Sequence, residues 1–259
     1  MENTYNPLIS WIVPAYNVEK YIIDCLNSLV SIGLPKDCFE VLVVDDGSTD
    51  NTLSLTEGFA AKHPSIKVFT QENRGLSITR NRAIEMAQGD YIHFVDADDF
   101  IINVNQYIQC IKFALKNDLD ILTFGFVRYL DDNSYNNSNC DSNKDVEKLL
   151  FSDVMNGQTL WERLSFINTA WQYIIKRRTL IDNGLRFVPG LLIEDFQFNL
   201  KAFFVSTRCV SSDATLYYYR YNPNSIMHNK SISNQQFLLD CYVANARYSL
   251  DFILNSAAL

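Results

Sequence analysis

The residues predict an α/β fold of three layers, helix on sheet on helix, with a mostly parallel central sheet. Three observations carry this expectation. Apolar runs of strand length alternate with stretches of helical periodicity from residue 8 to about residue 128. The apolar runs lack the polar alternation of a half-exposed strand, so both faces of the sheet are covered. The chain has 259 residues, 47% hydrophobic and 20% charged, enough for one large core.

The elements follow in order. "LISWIV", closed by Pro14 and Asn17, reads as a buried strand. "EKYIIDCLNSLVSI" has apolar residues at helical spacing and stops at Gly33 and Pro35. "FEVLVVDDGSTDNT" is a second buried strand running into a polar turn. "LSLTEGFAAKH" is helical, "IKVFT" a strand, and "SITRNRAIEMAQ" helical as far as Gly89. "YIHFVD" is the fourth strand; "VNQYIQCIKFALKN" and "LDILTFGFVRY" add a helix and a strand. The asparagine-rich segment 131–145 reads as a loop or insertion.

Beyond the insertion the rhythm changes. "VEKLLFSDVM" and "TLWERLSFI" read as short helical stretches, and "AWQYIIKRRTLIDNG" as a strand running into a helix. "EDFQFNLKAFFVS" is helical, "ATLYYYRY" a strand, and residues 234–254 a long amphipathic helix. The expected organisation is one domain over 1–259. It comprises a half at 1–128, a less regular half at 129–230, and a terminal helix at 231–259 with the chain cut short soon after it.

Composition narrows the function. A net charge of −8 and a pI near 4.9 argue against a nucleic-acid partner, which calls for a basic face. Six cysteines are scattered without CxxC pairs, as in a reduced, cytosolic protein. The N-terminal residues lack the basic region and long apolar stretch of a signal peptide. No run of roughly 18 apolar residues suggests a membrane span, and peripheral contact with the inner face of a membrane stays open.

The chemistry gathers at strand ends. Asp45 and Asp46 end the second strand; Asp96, Asp98 and Asp99 end the fourth. In a parallel sheet both groups fall at the carboxyl edge, where ligands bind. A hard cation such as Mg²⁺ or Mn²⁺ takes oxygen ligands, usually one or two carboxylates plus substrate phosphates. Asp96 and Asp98 lie on one side of an extended backbone, which suits one metal, or one metal and a ribose. The competing reading is that such acids cap turns and helix starts, and Asp50 is read that way. His63 and His93 read as structural, and Trp171 and Tyr217 to Tyr219 as core aromatics more often than sugar platforms.

The stretches "SWIVPAYNVEKYIIDCLNSL", "EVLVVDDGSTDNT" and "ENRGLSITRNRAIEMAQGDYIHFVDADD" resemble the family 2 glycosyltransferases, densely and in order over roughly residues 8 to 100. "LLIEDFQFN" is similar to the family's later acidic motif, and "YYYRYNPNSI" to its bacterial surface-polysaccharide branch. The resemblance implies the GT-A fold and an inverting transfer from a nucleotide-sugar donor, with a UDP-sugar expected. The implied acceptor is a glycan or a lipid-linked saccharide. It implies that Pro14, Ala15, Tyr16 and Glu19 line the nucleoside pocket, and that Asp46, with or without Asp45, accepts from the base. Gly75 and Arg80 are implied along the nucleotide, Asp96 at the ribose or metal, Asp98 on the metal and Asp195 as the catalytic base. His228 is the late histidine available to a metal site of Mn²⁺ or Mg²⁺. Two alternatives stay open at this point: a Mg²⁺-dependent phosphotransferase or phosphohydrolase, and a non-catalytic nucleotide-sugar-binding module.

Overall fold

The strand Ile9–Ala15 (β1) is buried at every residue, and so is Phe39–Asp45 (β2), its parallel partner. Alternate residues of each serve opposite faces. Trp11 and Val13 of β1 join Val41 and Val43 of β2 in one core, while Ile12 joins Leu42 and Val44 in another. A sheet buried on both sides needs helices on both sides, which is the three-layer arrangement expected from the continuous apolar runs. The computed structural model describes residues 7–129, 149–165, 167–220 and 232–256.

Ile66–Thr70 (β3) and Tyr91–Phe94 (β4) extend the parallel sheet on either side of the β2–β1 pair. Phe100–Ile101 (β5), Ile121–Tyr129 (β6), Tyr173–Lys176 (β7) and Cys209–Arg220 (β8) complete it. Among the described residues the order is β3-β2-β1-β4-β7-β6-β8-β5. The sheet is mixed and mostly parallel. β7 runs antiparallel between β4 and β6, and β6 and β8 are parallel again. Two reversals bring β6 and β8 back to the direction of β1 and β4, so their carboxyl ends share one edge. Pro14, which has no N–H, lies past Phe94, the last β4 residue paired to β1.

The helices are placed by their apolar stripes. Ile22–Val30 (α1) buries Ile22, Cys25, Leu26 and Leu29, an i, i+3, i+4, i+7 stripe. Thr52–Ala60 (α2) packs Phe59 and Ala60 onto the same core. Leu76–Met86 (α3) lies on the opposite face, with Ala83 and Ile84 buried. Val104–Lys116 (α4) buries Tyr107, Cys110, Ile111 and Ala114 on the α1 side. Gly157–Arg163 (α5), Arg177–Asp182 (α6) and Asp195–Val205 (α7) cover the α3 side through Leu160, Leu180 and Phe198. Ile232–Ser256 (α8) packs on α7. No helix among the described residues is long and apolar enough to cross a membrane.

A buried acid fastens the end of the sheet opposite the ligand edge. Glu40 is 2% exposed and accepts from Ser10 Oγ at 2.7 Å, Lys67 Nζ at 2.8 Å and the Gln88 N–H at 2.6 Å. Burial alone would push its pKa up; the bonds from Lys67, Ser10 and Gln88 outweigh that and hold it low.

One expectation needs correction, and one strand was not foreseen. Leu149–Met155 is not helical. Phe151 and Met155 instead make antiparallel bridges to Ser212 and Cys209, because the first residues of β8 offer an open edge that this segment pairs with. β5 is a two-residue strand paired to Tyr217 and Tyr218, too short to leave a periodic signal. The residues of the 131–145 insertion lie outside the described residues.

Glycines report how closely the layers approach. A Cβ on Gly157 would sit 2.1 Å from the Phe203 carbonyl oxygen, where α5 meets α7. A Cβ on Gly58, inside α2, would meet nothing within 4 Å. Gly157→Ala is therefore expected to destabilise the protein by about 2 kcal/mol or more, through forced separation of α5 and α7. Gly58→Ala is expected to stabilise it by roughly 0.5–1 kcal/mol, through helix propensity alone. Urea denaturation of the two variants checks the opposite signs.

Candidate active site

The carboxyl ends of β1, β2 and β4 meet at one edge, and the loops leaving them are tied together by side chains. Asn17 accepts the Thr49 N–H at 2.8 Å, and its own N–H donates to Ser48 Oγ at 3.0 Å. Glu19 Oε2 accepts from the Asn51 N–H and side-chain amide at 3.0 and 2.8 Å. Asp50 accepts the Thr52 N–H at the start of α2, the capping role expected for it. These bonds bring the loops after β1 and β2 side by side. Pro14 and Ala15 are buried, so their backbone is what they present, and Tyr16 is 48% exposed beside them.

Asp46 is spent on a third loop. Its Oδ1 accepts from Gln71 Nε2 at 2.7 Å and the Arg74 N–H at 2.9 Å; its Oδ2 accepts the Gly75 N–H at 2.8 Å. Gly75 has φ of 86°, a conformation that glycine adopts without steric cost, and it opens α3. Asp45 Oδ2 accepts from Thr70 Oγ1 and the Ser48 N–H, while its buried Oδ1 has no hydrogen-bond partner among the described residues.

The centre of the site is Arg80. It is 1% exposed, and its guanidinium donates from Nη1 to Glu194 Oε1 at 2.7 Å and Asp195 Oδ1 at 2.6 Å, and from Nη2 to Asp96 Oδ1 at 2.9 Å. The rings of Phe187 and Phe94 lie 5.1 and 6.0 Å from it. Three carboxylates hold its pKa above the usual arginine value against burial, which pulls the other way. The resemblance implies an arginine along the nucleotide; in the structure Arg80 lies inside the protein between Asp96, after β4, and Glu194 and Asp195 at the start of α7.

Asp195 opens α7 and is anchored twice. Beyond Arg80, its Oδ2 accepts the Ala170 N–H at 3.1 Å, from a 3₁₀ turn at Ala170–Gln172. Burial pushes its pKa up to about 7; Arg80 and the Ala170 N–H pull down, and Glu194 and Asp96 push further up. Ile193, just before this acidic pair, has φ of 63°, a strained value for a β-branched residue.

The three acids after β4 have separate surroundings. The Asp96 side chain is 29% exposed, with one oxygen on Arg80, and its N–H donates to the Tyr217 hydroxyl at 3.1 Å. Asp98 is half-buried. Asp99 is 1% exposed and structural: it accepts from the Tyr217 hydroxyl at 2.8 Å and the Arg220 N–H at 2.8 Å, which fastens the turn to β8. Burial, then Asp98 and Asp96, raise its pKa well above the carboxylate range. Trp171 is buried and stacked on Tyr217 at 4.3 Å, so it serves as the floor of the site and not as an open platform. His228 lies outside the described residues.

Among the described residues no group of three His, Cys, Asp or Glu side chains is placed to hold a metal ion. The donor set does fit a cation that completes its shell from phosphate. Asp96 and Asp98 offer hard oxygens at one strand end, and the cluster holds one guanidinium against three carboxylates, an excess of negative charge. The Ala170 N–H and the Tyr217 hydroxyl were not legible in the sequence. The first is a backbone group, and the second sits in a run of three tyrosines with nothing to single it out.

Residues 10–173 match the model of Glycosyl transferase family 2. The glycosyltransferase EpsJ of Bacillus subtilis is 34% identical over 227 residues, which cover 85% of this chain and 63% of EpsJ. TarS of Staphylococcus aureus, a poly(ribitol-phosphate) β-N-acetylglucosaminyltransferase, is 32% identical over 88% of this chain and 38% of its own. The structure of TarS residues 1–349 in complex with UDP-GlcNAc superposes with a TM-score of 0.70 at 30% identity, over 86% of this chain and 61% of that one. A mannosyltransferase from Pyrobaculum calidifontis, solved with GDP-Man and Mn²⁺, shares the fold at 18% identity and a TM-score of 0.62, over 98% of this chain and 75% of its own. The chain spans less than two-thirds of the length of EpsJ and TarS. The mixed, mostly parallel sheet is that of the GT-A fold, and the chain belongs to glycosyl transferase family 2.

Proposed function

We propose that the chain is the catalytic part of an inverting glycosyltransferase. It moves a sugar from a nucleotide-sugar donor, a UDP-sugar, to a hydroxyl of a glycan or lipid-linked acceptor in bacterial surface polysaccharide synthesis. The observation that carries this reading is the Arg80 cluster, which joins a strand-end carboxylate to a half-buried acid with a pKa of about 7. The relatives' printed activities and the UDP-GlcNAc bound to TarS support the donor class. Membership of a glycosyltransferase family sets aside the phosphotransferase alternative.

The first half of the chain holds the donor. The loops at Pro14–Glu19 and Ser48–Asn51 and the Asp46-ordered loop through Gly75 form the walls of the nucleoside pocket. Asp45, whose buried Oδ1 has no hydrogen-bond partner among the described residues, is the acceptor left for the base. Asp96 and Asp98 would hold Mn²⁺ or Mg²⁺, and the ion would supply charge stabilisation to the departing diphosphate. Arg80 does not touch the donor in this reading; it fixes Asp96 and Asp195 relative to each other. Asp195 takes the proton of the acceptor hydroxyl on the face opposite the leaving group. A base with a pKa of about 7 is half-ionised at neutral pH, near the compromise between availability and proton affinity.

Calorimetric titration tests the donor site. UDP is expected to bind with Mn²⁺ and to bind far more weakly without it, and Asp98→Ala is expected to abolish the metal dependence; UDP binding indifferent to metal in both proteins overturns the metal assignment. Asp195→Asn is expected to cut kcat by about 10²–10⁴-fold while leaving UDP affinity intact. Because the base works ionised, kcat/KM of the unaltered protein should rise with pH through a midpoint near 7. Retained turnover in Asp195→Asn would sink the base assignment. Arg80→Met leaves three carboxylates without their counterion and is expected to cost roughly 3–5 kcal/mol in urea denaturation. Arg80→Lys should recover only part of it, since one ammonium lacks the planar fork.

A further inference from the structure

His93 lies wholly inside the protein on β4, and the proposed mechanism leaves it unused. Its two ring nitrogens are both engaged: Nδ1 is 2.7 Å from the Tyr107 hydroxyl, and Nε2 is 2.9 Å from the Trp171 carbonyl oxygen. The Trp11 indole donates to the same Tyr107 hydroxyl at 2.7 Å. The Trp171 carbonyl oxygen can only accept, so in the neutral ring Nδ1 is the acceptor; the Tyr107 hydroxyl gives its hydrogen to Nδ1 and accepts from the Trp11 indole. Nε2 then carries the ring's hydrogen and donates to Trp171. Every member of this relay is satisfied, and its direction is set by the Trp171 carbonyl, which can only accept. Burial lowers the His93 pKa to about 4, in keeping with a neutral ring.

The relay ends under the active site. Trp171 is the middle residue of the 3₁₀ turn, and the Ala170 N–H of the same turn donates to Asp195. The Trp171 ring is stacked on Tyr217, whose hydroxyl meets both Asp99 and the Asp96 N–H. The turn is thus held by a hydrogen bond at its carbonyl and by a stack on its side chain. The Trp171 carbonyl lies two peptide planes from the Ala170 N–H within one tight turn, so a shift of the carbonyl would be passed through the turn to the N–H that Asp195 accepts.

We infer that His93 is a positioning residue for Asp195: as the neutral Nε2–H tautomer, with Nδ1 held by the Tyr107 hydroxyl, it fixes the turn that delivers the Ala170 N–H. This rests on the reading of Asp195 as the base. The charged groups facing Asp195 are Arg80 from α3, Asp96 after β4 and its neighbour Glu194. The hydrogen bonds of His93 go to Tyr107 and Trp171 and to none of these charged groups, so the turn is the hydrogen-bonded route from His93 to Asp195.

The test compares His93→Leu, which cuts the relay, with His93→Gln, which keeps an acceptor for Tyr107 and a donor for Trp171. The Asp195 carboxyl is followed by ¹³C NMR titration, its signal assigned by its loss in Asp195→Asn; UDP affinity and kcat/KM against pH are measured alongside. His93→Leu is expected to raise the Asp195 midpoint, to lower kcat/KM at neutral pH by about 5- to 10-fold, the size of one hydrogen bond, and to leave UDP affinity unchanged. His93→Gln is expected to restore both values. Should His93→Leu fail to fold, Tyr107→Phe, which frees Nδ1 and leaves His93 in place, is expected to move the midpoint in the same direction. An unchanged midpoint in the folded variants, or an equal shift in Leu and Gln, overturns the inference. A midpoint that shifts as expected while the pH dependence of turnover stays fixed upholds the positioning and overturns Asp195 as the base.

Discussion

One buried guanidinium sets the geometry of this protein's edge. Arg80 reaches from α3 to Asp96, sixteen residues on, and to Glu194 and Asp195, 114 and 115 residues on. The carboxyl end of β4 and the start of α7 are therefore held at a distance fixed by a planar group with few ways to bend. A buried ion cluster of this kind is weak evidence for stability, since desolvation of the charges offsets much of their attraction. What it provides is registry. The alternative of an apolar contact would pack as well and would leave both acids free to turn away.

Around that centre, hydrogen-bond accounting separates acids that build the site from acids that can act in it. Glu19, Asp46, Asp50 and Asp99 direct their carboxylates at backbone N–H groups of neighbouring loops or strands. They hold the edge in shape much as helix caps do. Asp96 keeps one oxygen off Arg80, and Asp195 retains a proton affinity that burial has raised to a working range. Asp99 illustrates the division best. It belongs to the same acidic run as Asp96 and Asp98, yet its surroundings make it a brace for β8.

The centre of the sheet was legible because β1, β2 and β4 are buried at every residue, which writes itself as apolar runs, those of β2 and β4 leading into aspartates. Helix α1 was legible by its stripe, and α4 likewise. The failures have local causes. Leu149–Met155 has helix-like apolar spacing, but the open edge of β8 decides its conformation. β5 is two residues long. Arg80 and Arg82 share one helix and look alike in sequence. Only tertiary structure buries the first among acids and leaves the second on the Thr70 carbonyl and Gln71. Ala170 contributes a backbone group, so its side chain carries no signal at all.

The same cluster joins Asp96, the acid proposed for the donor side, to Asp195, the proposed base. Burial, Glu194 and Asp96 raise the Asp195 pKa, and Arg80 lowers it. Positive charge brought to Asp96 from the donor side would cancel one of the carboxylates that push Asp195 up. It would also draw Asp96 from Arg80 and leave more of the guanidinium to Asp195. Both effects have the same sign: they favour the ionised base. On the reading of Asp195 as the base and Asp96 as a donor-side acid, one fixed cation among three acids would let occupation of the donor site favour the ionised base, through charges that already touch.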